Sequence, residues 1–179
     1  MKKLILLIII LLVSVCYAQN KITYLNNSVY DLSSIPIEDL VAAKVRRAID
    51  GDTVEVVILY NTPGLSEIER VRMIGVDTPE TKDPRKEVQY YGKEASVFTA
   101  EQLTNKYVYL AFDNQLRDKY NRLLCYILLE DRQLFNYNLI YWGYGHAYTS
   151  FPFIYMSSFK EAEAIAKENR IGLWADNEL

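Results

Sequence analysis

Histidine occurs once in the 179 residues, as His146, and cysteine twice, as Cys16 and Cys125. Those counts exclude a multi-histidine metal site, a zinc site of paired cysteines and a disulfide-stapled scaffold. Nor is there an excess of basic residues: 20 Lys and Arg stand against 23 Asp and Glu, a net charge of −3. A protein that gathers polyanions by bulk positive charge is therefore excluded. Internal repeats and low-complexity tracts are absent. What is present is a chain that is 50% apolar, enough to bury the core of one domain and too much for wholesale disorder. Any hydrolytic chemistry must lean on carboxylates and arginines, with or without a hard metal ion.

The one long apolar run, 4–15, follows Met1-Lys2-Lys3 and ends at Cys16-Tyr17-Ala18. It is too short to span a bilayer, and a basic start with a short apolar core reads as a signal peptide over 1–18, which makes the protein secreted or periplasmic. A retained anchor and lipid attachment at Cys16 are the alternatives, and Val15 before that cysteine fits lipid attachment poorly. Cleavage after Ala18 removes Lys2, Lys3 and Cys16, taking the net charge from −3 to −5. Cys125, inside the run Leu123-Leu124-Cys125-Tyr126-Ile127, reads as a buried small hydrophobe.

Residues 19–43 read as a lead-in, with a short helix after Pro36, and 44–176 as the domain. Strands are expected over 44–49 and 53–59, around the turn signal Asp50-Gly51, and over 70–76, 107–112 and 123–129. Loops are expected at 61–67 and 82–87. Helices are expected over 92–105, 133–142 and 157–169, the last turning Phe159, Ala162, Ile165 and Ala166 inward. Five strands with interspersed helices point to a small closed or nearly closed β-barrel, an α+β fold that is mainly β.

The chemistry concentrates between residues 50 and 122. Asp50-Gly51-Asp52-Thr53 lies at a strand-to-strand turn and Asp77-Thr78-Pro79-Glu80-Thr81 at a strand end. Together they bring the carboxylates of Asp52, Asp77 and Glu80 to the ends of neighbouring strands. Such a cluster is costly unless a positive charge neutralises it, and Ca²⁺ accepts carboxylates, carbonyls and water together. Thr78 is held extended by Pro79, which could present its carbonyl as a further ligand. Taken singly, each motif reads more readily as a turn or a strand end with solvated acids. Arg72 and Arg122 supply two-pronged phosphate contacts and permanent charge. One difficulty is geometric: strand alternation puts Arg72 and Asp77 on opposite faces, so a shared site needs a bend near Gly75.

The segments Ala48-Ile49-Asp50-Gly51-Asp52-Thr53, Arg72-Met73-Ile74-Gly75-Val76-Asp77-Thr78-Pro79-Glu80-Thr81 and Asp118-Lys119-Tyr120-Asn121-Arg122 resemble the staphylococcal nuclease family in order and spacing. The likeness continues through Tyr91-Gly92-Lys93-Glu94-Ala95-Ser96 to Gly172-Leu173-Trp174, about residues 44–174. It implies a five-stranded OB-fold barrel with three helices that cuts DNA and RNA with Ca²⁺. Residues matching the metal ligands are Asp52, Asp77 and the Thr78 carbonyl. Glu80 matches the residue that orients or deprotonates the attacking water, and Arg72 and Arg122 match the groups that stabilise the transition state. In the family the 5′ oxygen leaves, giving 3′-phosphate ends. Lys119 and Tyr120 match contacts to a terminal phosphate of a bound nucleotide.

Two departures bear on the site. Asn121 stands where the family commonly has Gly, although Asn tolerates a left-handed backbone. The base-stacking tyrosines have no clean match: an ungapped carry-over lands on Thr149 and Phe151, with Tyr148 and Phe153 beside them, and Tyr148 and Phe151 are the candidate stacking rings. His146, without a Ser or Cys motif, reads as a surface or packing residue. Lys82, Arg85, Lys86 and Lys93 make a basic stretch beside the site. The leading expectation is a secreted, monomeric, calcium-dependent nuclease acting on single-stranded or unpaired DNA and RNA. A non-catalytic OB-fold binding module and an exported interaction domain are the competing readings.

Overall fold

The computed structural model describes residues 35–81 and 89–175. The signal-peptide reading and the basic residues at 82–86 lie outside the described residues. A 3-10 turn, Ile37–Asp39, follows Pro36 and leads into β1 (Val41–Asp50), which starts ahead of the expected 44. Then come β2 (Thr53–Ile58), β3 (Ile68–Met73), β4 (Val76–Asp77), α1 (Gly92–Leu103), β5 (Tyr107–Ala111), β6 (Leu123–Leu128), α2 (Phe135–Tyr141), β7 (His146–Ala147) and α3 (Met156–Glu168), and a 3-10 turn, Gly172–Trp174. Strands β1-β2-β3-β6-β5 close into a barrel, and β4 and β7 form a separate two-stranded ribbon.

Alternation builds the barrel. In β2 and β3, Val54, Val56, Val71 and Met73 are buried, while Glu55 and Arg70 on intervening positions face out. Each such apolar side chain is worth about 1.5–3 kcal/mol when fully removed from water, and no disulfide supplements them: Cys125 is a free thiol inside the core. Burial raises that thiol far above its ordinary value, so it stays unionised. α1 packs on β1 through Ala95, Thr99 and Leu103, spaced one turn apart. α3 turns Phe159, Ala162 and Ala166 inward and packs on α2, whereas Ile165, expected inward, is only partly buried at the edge of that stripe.

The expected strand over 70–76 is two strands. β3 stops at Met73, Gly75 turns the chain with φ of 74°, and Val76–Asp77 pairs with β7 instead of the barrel. Buried Asn136 on α2 secures that junction. Its Oδ1 accepts the Ile127 N–H at 2.9 Å, and its Nδ2 donates to the carbonyls of Ile74 at 3.0 Å and Cys125 at 3.3 Å. Deleting it strands the Ile127 N–H and the Ile74 carbonyl, each worth about 1–3 kcal/mol when unsatisfied, while the Cys125 carbonyl keeps the Ile74 N–H at 3.1 Å. Asn136→Ala should therefore lose about 3 kcal/mol of stability in a urea titration, and a loss below about 1 kcal/mol would refute this role.

Candidate active site

Strands β1 and β2 are joined by Gly51-Asp52 alone, since Asp50 pairs with Thr53. The turn is clamped by its surroundings. Thr99 of α1 donates its hydroxyl to the Gly51 carbonyl at 2.5 Å. A Cβ on Gly51 would lie 2.7 Å from Thr78 Oγ1, so only glycine lets Thr78 come this close. Asp52 is buried at the turn. Its Oδ2 accepts the Thr78 N–H at 3.0 Å and the Thr78 hydroxyl at 3.1 Å, and its Oδ1 accepts the Thr53 hydroxyl at 2.8 Å.

Arg72 joins the two acidic motifs. Its Nη1 lies 2.8 Å from Asp52 Oδ2 and 2.7 Å from the Val76 carbonyl, and its Nη2 lies 2.9 Å from Asp77 Oδ1. The Gly75 turn thus removes the parity problem: Asp77 comes round to the face that Arg72 occupies. Partial desolvation raises the Asp77 carboxyl above the ordinary carboxylate value; Arg72 opposes the rise and Asp52 adds to it. Asp50 is raised too, first by burial, against hydrogen bonds from Thr81 and the Gly51 N–H, with the charges of Asp52 and Glu80 adding. Four carboxylates therefore share one electrostatic neighbourhood at the barrel rim, and Arg72 pairs with two of them, Asp52 and Asp77.

Glu80 is fixed through its backbone, its N–H donating to Gln89 Oε1 at 2.7 Å and its carbonyl accepting the Gln89 N–H at 3.0 Å. Arg122 leads into β6, which runs parallel beside β3 with Leu124 opposite Arg72. Its Nε donates to Asp118 Oδ2 at 2.7 Å, and the backbone N–H groups of Tyr120 and Arg122 close on Asp118 Oδ1. Asn121 takes φ of 64° in that turn, the conformation a glycine would adopt, so the departure at this position costs little. The exposed Tyr120 ring lies under Lys119 Nζ at 5.0 Å and the Arg122 guanidinium at 5.4 Å. Tyr148 and Phe151 are both exposed, with ring centroids 6.2 Å apart, and the Tyr148 N–H donates to the Gly75 carbonyl at 2.9 Å. Phe153 packs on Phe159 and is a core ring. His146 stands edge-on to Trp174, centroids 4.9 Å apart, as a packing residue.

Asp52, Arg72, Asp77 and Thr78 are thus in direct contact, while Arg122, Lys119 and Tyr120 sit on the Asp118–Arg122 turn. The support beneath that turn was not anticipated. Buried Glu69 takes both Nη groups of Arg117, at 2.6 and 2.9 Å, and Arg117 also donates to the Asn121 carbonyl at 3.1 Å. Among the described residues no three of His, Cys, Asp and Glu form a metal-holding group. A hard cation would instead be held by Asp52, Asp77 and the Thr78 carbonyl with water. That all-oxygen set suits Ca²⁺.

A family model described as staphylococcal nuclease homologue matches residues 70–176. The chain is 42% identical over 131 residues to the thermonuclease of Staphylococcus intermedius, covering 73% of this chain and 74% of that protein. It is 40% identical over 134 residues to the thermonuclease of Staphylococcus hyicus, covering 74% and 75%. The chain belongs to the staphylococcal nuclease family. Endonuclease YncB of Bacillus subtilis is 37% identical over 139 residues, 76% of this chain and 63% of that protein. The family's barrel and helices are those described above, and the chain is a phosphodiester hydrolase of that family.

Gly75 is the position on which this member's site turns most sharply. A Cβ there would meet the Phe153 ring at 2.6 Å in a left-handed backbone. Gly75→Ala should lose about 2–4 kcal/mol, from strain plus overpacking, and should cleave more slowly at a temperature where it remains folded. Thermal unfolding and a rate measurement check both parts. Glu69 supplies a pH dependence. Burial works to raise its carboxyl, but Arg117 and the Ser66 N–H outweigh this and hold it below the ordinary carboxylate value. Its stabilisation is present above the unfolded-state carboxylate value and fades as pH falls through the depressed folded one. Arg117→Ala should therefore melt well below the parent protein at pH 7, and the gap should narrow at pH 3.

Proposed function

We propose that this nuclease is calcium-dependent, cleaves DNA and RNA with little sequence specificity at single-stranded or unpaired regions, leaves 3′-phosphate ends, and acts as an exported monomer after cleavage near Ala18. The observation that carries this reading is the Arg72 guanidinium, which holds Asp52 and Asp77 together while the Thr78 N–H closes on Asp52. An acid pair kept this close suits a divalent cation, and a rigid guanidinium beside it suits a phosphate.

When bound, Ca²⁺ would supply Lewis-acid charge to a phosphate oxygen. The residues do the rest. Glu80 orients a water and accepts its proton as the water oxygen bonds to phosphorus. Arg72 and Arg122 hold the equatorial oxygens, whose negative charge grows as the fifth bond forms. The bond from phosphorus to the 5′ oxygen then breaks, the departing oxygen takes a proton from solvent water and Glu80 returns its own to solvent, leaving a 3′-phosphate and a 5′-hydroxyl. Lys119 and Tyr120 meet a terminal phosphate, and Tyr148 and Phe151 offer exposed faces for stacking, which every base can use. Contacts to phosphates and ring faces carry no sequence information of their own, which supports low sequence specificity.

The test is cleavage of single-stranded DNA with Ca²⁺ and with a chelator. Cleavage should require Ca²⁺. Glu80→Gln and Arg122→Ala should each lower the rate by at least about 100-fold, the effect of removing one preorganised charge-stabilising group. Arg72→Lys should also be poor, because Lys cannot bridge two acceptors in one plane. Near-parental rates in any of these variants would remove that residue from the mechanism, and chelator-resistant cleavage would remove the metal.

A further inference from the structure

The pairing of β1, β2 and β3 sets their side chains in rows across the barrel. Asp50, Thr53 and Arg72 form a row at the active-site end. Ala48, Val54 and Val71 form the next, packed on the core. Arg47, Glu55 and Arg70 form the row after that, on the same outer face as Arg72. A register shift between Val45 and Arg47 leaves two consecutive arginines, Arg46 and Arg47, exposed on β1, as a bulge re-aims a side chain. Both reach Glu55: Arg46 Nη1 lies 3.2 Å from Oε1 and Arg47 Nη2 lies 3.0 Å from Oε2. The Glu55 side chain is 12% exposed, whereas those of Arg46 and Arg47 are 50% and 59% exposed. The acid lies beneath and the cations on top. Lys44, whose Nζ sits 5.5 Å over the Tyr107 ring, extends the same face.

We propose that this face carries the flanking phosphates of the nucleic-acid strand whose scissile phosphate is held at Arg72. The proposal rests on the nuclease reading and adds a binding surface to it. Arg70 follows Arg72 along β3 at about 6.6 Å, two strand residues, on one face, so a strand leaving Arg72 in that direction meets Arg70 next and then Arg47 and Arg46. Exposed guanidinium groups match phosphate oxygens in geometry and charge. Glu55 restrains two flexible side chains before any ligand arrives, which lowers the ordering cost of binding. Stability does not explain the arrangement, because exposed ion pairs of this kind contribute little.

The test compares a thymidine 20-mer with a thymidine dinucleotide as substrates, and measures the salt dependence of 20-mer binding by fluorescence anisotropy in a Glu80→Gln background. Arg47→Ala combined with Arg70→Ala should raise KM on the 20-mer by about tenfold, with a far smaller change on the dinucleotide. It should also make the slope of log affinity against log salt shallower by ~1.4, two single-strand phosphate contacts. An unchanged slope, or an equal loss on both substrates, would overturn the proposal. A shallower slope in a protein that cuts neither substrate would support the binding face and refute the nuclease reading instead. Melting curves confirm that each variant is folded.

Discussion

The left-handed turn at Gly75 is the constraint on which the site depends. A strand continued straight from Met73 would carry Asp77 on the face opposite Arg72. The turn takes the chain out of the barrel, and Asp77 arrives 2.9 Å from the guanidinium it would otherwise miss. The same turn is held from three sides. Asn136 takes the Ile74 carbonyl, Tyr148 donates its N–H to the Gly75 carbonyl, and the rings of Phe153 and Phe159 fill the space a side chain would need. The barrel, the aromatic loop after β7 and helix α3 therefore meet at one residue without a side chain. A fault there disturbs the acids and the stacking loop together.

Arg72 is the electrostatic counterpart of that turn. It satisfies two carboxylates and the Val76 carbonyl with one planar group, which a single ammonium could not do. Its positive charge allows Asp52 and Asp77 to stand close in a partly dry environment. Burial, with a smaller contribution from the neighbouring acids, still raises Asp50 and Asp77. Such a site is poised for a further cation, because any positive charge arriving there relieves repulsion already present.

Much of this was legible in the residues. The barrel strands follow from apolar alternation, the helices from helical spacing such as Ala95 and Phe98, and the candidate site from three segments whose order and spacing resemble a family's. Even the bend at Gly75 could be required from parity before it was seen. The illegible parts share a physical cause: they are contacts between residues distant in the chain that no local pattern marks. Arg117 and Glu69 are 48 positions apart, and neither carries a motif, yet they hold the turn that presents Arg122. Asn136 looks like any polar residue near a helix start; only its burial against three backbone groups shows its role. The β4–β7 pairing was hidden because two-residue strands have no period to detect.

The remaining question is how an acidic chain handles a polyanion, and arrangement answers it better than total charge. Most of the acids named above are engaged: Asp52 and Asp77 by Arg72, Asp118 by Arg122, Glu69 by Arg117, Glu55 by Arg46 and Arg47. In the last of these pairs the acid is covered and the cations are outermost. The potential a phosphate meets is set by what is exposed within about a Debye length, roughly 8–10 Å at ordinary ionic strength, and not by the sum over the chain. A net negative protein can therefore present a positive path, provided each acid on it is shielded by the arginines it orients. The face around Glu55, from Arg70 to Arg46, has that construction.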